Sequence, residues 1–213
     1  MADWDEMPMG STTIGDVWMD RAVETKARIL SAARAEFAEF GIAGARVDRI
    51  AEAAHINKQR IYAYFGDKNQ LFEAVLADAF SRLADAIPLP QSRDELIEYA
   101  GRVFDFHQEN VDFNRLLAWE ALAFRDGALP VEAERHNYYA DKVKSVAEAF
   151  PGLGEDVVAP LLLQIIGLAA WPVLMSPLQR HLYGLEPGSL PPAATTRSFV
   201  VRAAAALVDE ILP

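Results

Sequence analysis

The sequence has no cysteine among its 213 residues. Disulfides, thiolate metal sites and cysteine nucleophiles are therefore excluded, and the composition fits a reducing cytoplasm, where the protein is expected to reside. Histidine is scarce as well: His55, His107, His136 and His181 show no His-Glu-x-x-His or comparable spacing, so no metal site is expected. There is no phosphate-cradling glycine loop and no nucleophile elbow, and none of the 31 Asp and Glu residues is singled out by its context. The chain thus reads as neither an enzyme nor a cofactor carrier. Bases are outnumbered too, with 20 Lys and Arg and a formal net charge of −11. None of them lies in the first nineteen residues, which lack the basic start of a secretory signal and read as a mobile tail, 1–19, with Trp4 and Trp18 unassigned. Alternating strand patterns, repeats and low-complexity tracts are also missing.

What is present is helical periodicity along nearly the whole chain, which predicts an all-α protein. A first helix is expected over 21–40, with Ile29, Leu30, Ala33, Phe37 and Phe40 inward and Gly41 as its stop signal. A longer one, 67–86, carries Leu71, Phe72, Val75, Leu76, Phe80 and Leu83 and ends before Pro88-Leu89-Pro90. Further helices are expected over 92–108, 111–125, 130–149, 155–175 and 193–212.

Between the first two lies the most informative stretch, Gly41 to Leu71. Val47, Ile50, Ala51 and Ala54 recur at i, i+3, i+4, i+7, the mark of a helix burying one side. After a tight turn, Asn57 is placed to cap a second short helix whose Ile61 and Phe65 face inward. Lys58, Gln59, Arg60, Ala63 and Tyr64 then face outward, donors and slim side chains of the kind a recognition helix presents to a major groove. From Arg21 to Lys68, nine bases meet six acids, a local net of +3 on a chain of −11, which leaves −14 elsewhere. A basic island on an acidic protein points to a polyanion rather than to plain solubility.

The residues Gly41, Val47, Ile50, Ala51, Ala54, Ile56, Lys58, Ile61, Tyr62, Tyr64, Phe65, Lys68 and Leu71 stand in the register of a known pattern. In them the chain resembles the tetracycline-repressor (TetR) family of bacterial transcriptional regulators. The resemblance implies an N-terminal helix-turn-helix, three-helix DNA-binding domain, 20–70, and a C-terminal helical ligand-binding and dimerisation domain, 71–213. It also implies a double-stranded DNA operator, and repression relieved by a small-molecule effector. Phosphate contacts carry over by position to Tyr62, Tyr64 and Lys68, although Tyr62 is equally placed to pack beside Ile61. Arg46, Gln59 and Arg60 depart from the family pattern. Arg46 supplies a long cation for phosphate where a small hydroxyl is usual, Gln59 and Arg60 suit base edges, and Lys58 suits either. His55 replaces the turn glycine, a substitution tolerated because histidine is among the types enriched in left-handed backbone. An alternative remains: a helical ligand- or partner-binding protein of the same fold that has lost DNA binding, which Arg46 and His55 would support.

Residues 157–175 carry no charge, long enough to span a bilayer. Pro160, Gln164, Gly167 and Pro172 interrupt the run and no basic cluster flanks it, so no membrane is expected. The resemblance implies instead a homodimer through the last two long helices, reading a palindromic operator. The second half is rich in aromatics, Phe106, Phe113, Phe124 and Tyr138 among them. It offers Phe104, His107, Trp119, Glu120, His136, Tyr139, Gln164 and Trp171 as the lining of a cavity for a mostly apolar effector, with simple core packing as the competing reading. The acidic balance of this half favours neutral or cationic ligands.

Overall fold

The computed structural model describes residues 14–123 and 132–212, with side chains from 21 to 123 and from 136 to 212. Among the described residues there are ten helices and no strand. In chain order they are α1 Ile14–Gly44, α2 Val47–Ala53, α3 Lys58–Phe65, α4 Lys68–Ala86, α5 Arg93–Glu109, α6 Val111–Ala123, α7 Glu132–Ala149, α8 Glu155–Leu174, α9 Ser176–Leu182 and α10 Ala193–Ile211.

Two differences from the sequence expectation stand out. Helix α1 begins at Ile14 rather than near Arg21. No proline interrupts 14–20, and Ile14, Val17 and Trp18 extend the helical period. The part of the expected tail before Ile14, Trp4 included, lies outside the described residues, as does Phe124. Helix α9 falls outside the expected helices; Pro177 in its first turn, a position where the missing N–H costs nothing, starts it directly after α8 ends.

The helices close around two cores. Ile29, Ala33 and Phe37 of α1 meet Ile50, Ile61, Leu71, Phe72, Val75 and Ala79, and also Phe113 and Leu116 of α6. The second core joins Leu96, Tyr99, Val103 and Phe104 of α5 to Leu161, Leu162, Ile165 and Ala169 of α8 and Val200, Ala204 and Val208 of α10. Helix α6 therefore belongs to the head as much as to the body. Its grip falls on a kink. At Gly41, φ is 64° and ψ 175°, and a Cβ there would come within 2.7 Å of the Trp119 ring. Trp119 Nε1 donates to the Ala38 carbonyl at 3.2 Å, and Arg115 donates to the carbonyls of Ala38 and Glu39 at 2.6 and 3.1 Å. Only glycine combines that backbone with that approach.

A buried carboxylate fixes the other end of the head. Glu36 accepts from the Arg46 backbone N–H at 2.7 Å and from Arg49 Nε at 2.8 and 3.0 Å. Burial alone would raise its pKa, but the Arg49 guanidinium and the Arg46 N–H together hold it below the ordinary carboxylate value. The stability this carboxylate contributes is present above the unfolded value of about 4.5 and is lost as pH falls through the lower folded value. Glu36→Ala is expected to destabilise the protein by about 2 kcal/mol, less than for a fully buried pair because Arg49 keeps solvent access. Urea denaturation at pH 7 against pH 4 checks both size and sign.

In the body, Arg197 of α10 reaches Asp105 (2.8 Å) and Glu98 of α5 across Gly101, where a Cβ would meet the guanidinium at 2.6 Å. Lys142 of α7 has no such partner among the described residues. It is 3% exposed, sits among the rings of Tyr99, Tyr138 and Tyr139, and burial brings its pKa down to about 8. Both folded and unfolded chains carry its charge below pH 8. Between about 8 and 10.5 only the unfolded chain does, so stability should rise with pH across that window, by on the order of 3 kcal/mol. Lys142→Met is expected to stabilise the protein at pH 7 and to flatten that rise, as read by chemical denaturation at pH 7, 8.5 and 10.

Candidate nucleic-acid interface

The turn between α2 and α3 is built around His55. Its φ is 54°, the only positive value outside glycine among the described residues. Ile56 N–H bonds the Ala51 carbonyl at 3.0 Å and His55 N–H the Glu52 carbonyl at 3.1 Å, so the last carbonyls of α2 are satisfied by the αL cap. Asn57 then caps α3, its side-chain oxygen accepting from Arg60 N–H at 2.8 Å. Ile61 and Phe65 are buried, which fixes how α3 is turned and leaves its opposite face outward.

On that face Gln59, Arg60 and Ala63 are exposed, and Tyr62 is 42% exposed. Tyr62 therefore stands out from the core, and it is Tyr64 that rests partly on it, beside Phe65 with ring centroids 6.3 Å apart. Lys58 is held at 2.9 Å by Asp48 of α2, whose carboxylate it also keeps below its usual pKa. Arg46 precedes α2 with its side chain exposed while its backbone is anchored to Glu36. Lys68 donates to the Ala45 carbonyl at 3.3 Å, tying the start of α4 to the entrance of α2. An ammonium has two further donors, so this bond leaves Lys68 able to reach a phosphate.

Sequence reasoning gives α1 only a bracing role and passes over two bases. Arg21 and Arg28, one α-helical face at i and i+7, line a cleft with Arg60 and Tyr64 of α3. Their spacing was the available signal. With Arg46, they extend the row of cations beyond the recognition helix, where backbone phosphates flank a groove.

Known proteins match this geometry along most of the chain. Residues 29–75 match the family described as bacterial regulatory proteins, tetR family, and residues 95–205 match the tetracyclin repressor-like C-terminal domain. The HTH-type transcriptional repressor SCO4008 of Streptomyces coelicolor is 43% identical over 163 residues, 75% of this chain and 84% of that protein. The chain belongs to the TetR family. The crystal structure of the transcriptional regulator SCO4942 of Streptomyces coelicolor superposes with a TM-score of 0.69 at 30% identity, covering 86% of this chain and 97% of that one. A TetR-family regulator from Marinobacter aquaeolei, at 19% identity and a TM-score of 0.65 over 89% and 97% of the two chains, shares the fold. This TetR-family protein is a DNA-binding transcriptional regulator, not an enzyme. Regulators of the family bind DNA operators, typically act as dimers with small-molecule effectors, and are generally cytoplasmic.

The eight residues expected to line one effector cavity fall at separate places in this regulator. Phe104 borders a cavity of about 450 Å³ shared by α5, α6, the end of α8, α9 and the start of α10, together with Gln108, Asn114, Arg115, Pro172 and Thr196. His107 lies just behind it. Burial holds the imidazole's pKa down, its Nδ1–H donates to Asn114 Oδ1, and Asn114 Nδ2 returns a bond to the His107 carbonyl at 2.8 Å. Trp119 is at the Gly41 kink. Glu120, on the same helix, is half-buried, and His136 is exposed. Tyr139 belongs to the ring cluster around Lys142. Gln164 and Trp171 line an open groove with Tyr183 and Phe199 on the outer face of α8 and α10.

Proposed function

We propose that this regulator is a repressor: a homodimer on a roughly palindromic operator, released from it by a small, mostly apolar ligand. The observation that carries the reading is the outward face of α3, where Gln59 and Arg60 are exposed, their side chains without a hydrogen bond or ion pair among the described residues, and flanked by Arg46, Tyr62, Tyr64 and Lys68. Gln59 and Arg60 take the base edges, and the flanking groups take phosphates. Repression is supported by the relatives, among them SCO4008 and the Pseudomonas putida repressor NicS.

One α3 spans too few base pairs to select a site, so two heads must act together. The second exposed surface supplies the means. Helix α8 is long and apolar enough to cross a membrane, yet its outward side chains, Leu163 at 67% and Trp171 at 56% exposure, continue onto Phe199 of α10 at 60%. A second copy covers this face better than lipid does, because Gln164, Pro160 and Pro172 interrupt it and no basic flank anchors it. Heads on such a dimer read half-sites about 34–36 Å apart or a multiple of that.

The effector occupies the cavity beside Phe104. Arg115 lines that cavity and also grips the carbonyls of Ala38 and Glu39 at the end of α1, so an occupant that displaces α6 moves the head directly. A preference of about 3 to 5 kcal/mol for the displaced state is enough to empty the operator. Gel-shift of the purified protein on the DNA upstream of its own gene tests the core of the reading. Salt-sensitive, sequence-selective retardation is expected, and retardation equal on scrambled DNA would sink it.

A further inference from the structure

We infer that Lys142 anchors a second ligand site, separate from the cavity beside Phe104, and that this site takes a small aromatic carboxylate. Its Nζ lies 5.1, 5.3 and 5.7 Å from the ring centroids of Tyr99, Tyr138 and Tyr139. Ring faces attract a cation but do not neutralise it, and a buried ion without a counter-charge is costly. Acids outnumber bases by 31 to 20 in this chain, yet among the described residues no carboxylate pairs with Lys142.

A second cation next to the same tyrosine has the same defect. Arg102 of α5 spends one Nη on the Glu95 carbonyl, while its Nε is buried with no hydrogen-bond partner. Its charge acts on the Tyr99 hydroxyl, whose ionisation burial otherwise opposes. Two under-satisfied cations thus flank one tyrosine, and among the described residues neither is paired with a carboxylate. A cationic ligand is repelled there, and a neutral one leaves both charges as they were. A carboxylate accepts from Lys142 Nζ, and an attached ring stacks on the tyrosines. Tyr138 and Tyr139 are only half-buried, so the outer wall of the cluster meets solvent. The site inverts the ligand charge that the acidic balance of the chain leads one to expect, because surface charge does not determine what a buried cluster carries.

Occupancy has a mechanical route to the head. Tyr139 packs edge-on against Phe80 of α4 at 6.4 Å, and Phe80 packs against Phe113 of α6 at 5.5 Å. These two helices both contribute to the head's core. An aromatic acid that parts Tyr139 from Phe80 therefore weakens operator binding, a consequence that rests on the regulator reading above, whereas binding itself does not.

The test uses the full-length protein and benzoate, phenylacetate and salicylate as probes, each by thermal shift and calorimetric titration, with benzamide and benzylamine as controls. At least one of the acids is expected to stabilise the wild type while the amide and the amine do not. Lys142→Met should weaken that binding by at least about tenfold, and Lys142→Arg should restore part of it. Absence of any response to all three acids, or an equal response in Lys142→Met, overturns the site. Both variants are read for folding by circular dichroism, and the Arg variant keeps the comparison valid should the Met variant fold poorly. Gel-shift without acid is run alongside: its failure in the wild type counts against the regulator reading alone, and leaves the binding result standing.

Discussion

Arg60→Ala is expected to cost about 1–3 kcal/mol per half-site, and so about 2–6 kcal/mol for a dimer bound to both, with the loss confined to specific DNA. The inward residues of α3, Ile61 and Phe65, are locked in the head's core and its first turn is capped by Asn57, so truncating Arg60 removes a reader without disturbing the helix. Arg46→Ala should behave differently. Its backbone N–H continues to bond Glu36 after truncation, and the lost side chain is the one proposed to face phosphate, so affinity is expected to fall alike on specific and scrambled DNA. The salt slope of binding should shrink by about one per head for Arg46→Ala and hardly at all for its backbone-neutral counterpart Gln59→Ala. Fluorescence anisotropy on operator and scrambled duplexes at two salt concentrations separates the cases. An equal loss on both duplexes for Arg60→Ala would remove it from base reading.

The second large effect is expected from the outer face of α8 and α10. Leu163→Glu combined with Phe199→Glu places two carboxylates on the apolar groove and should convert the proposed dimer to a monomer by light scattering. Both side chains are more than half exposed in the single chain, so the subunit itself should keep its helicity and its unfolding midpoint apart from the loss of the partner. Operator affinity should then drop by roughly 100- to 10,000-fold, the advantage of holding two heads at a fixed separation. A variant that stays dimeric, or a monomer that binds the operator undiminished, would rule out this face as the interface.

How far the sequence carries depends on the range of the interaction. The head was legible because its determinants are local: the i, i+3, i+4, i+7 spacing of α2, the Asn57 cap, and His55 in a left-handed turn all depend on residues within a few positions of one another. The helices of the body other than α9 followed from the same periodicity. What periodicity cannot reveal is which helix a side chain meets. Trp119 and Trp171 look alike as helical aromatics, yet one abuts the kink of α1 and the other stands in solvent beside α10. Glu36 looks like one more acid on α1 until the fold brings Arg49 and the Arg46 N–H to it. Lys142 reads as an ordinary surface base in a helix of mixed charge until the fold brings Tyr99 of α5 over it and leaves it enclosed. The early start of α1 was hidden for a plainer reason: an acidic stretch without bases carries a tail's composition while its apolar spacing remains a helix's.

The indole at the kink has a practical consequence. Trp119 touches Gly41 and donates its N–H to the Ala38 carbonyl, so its ring bridges α6 and the kink of α1. Any swing of α1 about its kink must lengthen that bond or slide the ring off the glycine, and either alters the polarity around the chromophore. With Trp4, Trp18 and Trp171 replaced by Phe, Trp119 becomes the sole indole, and a change in its ultraviolet emission timed with loss of the duplex would record the movement without an added dye.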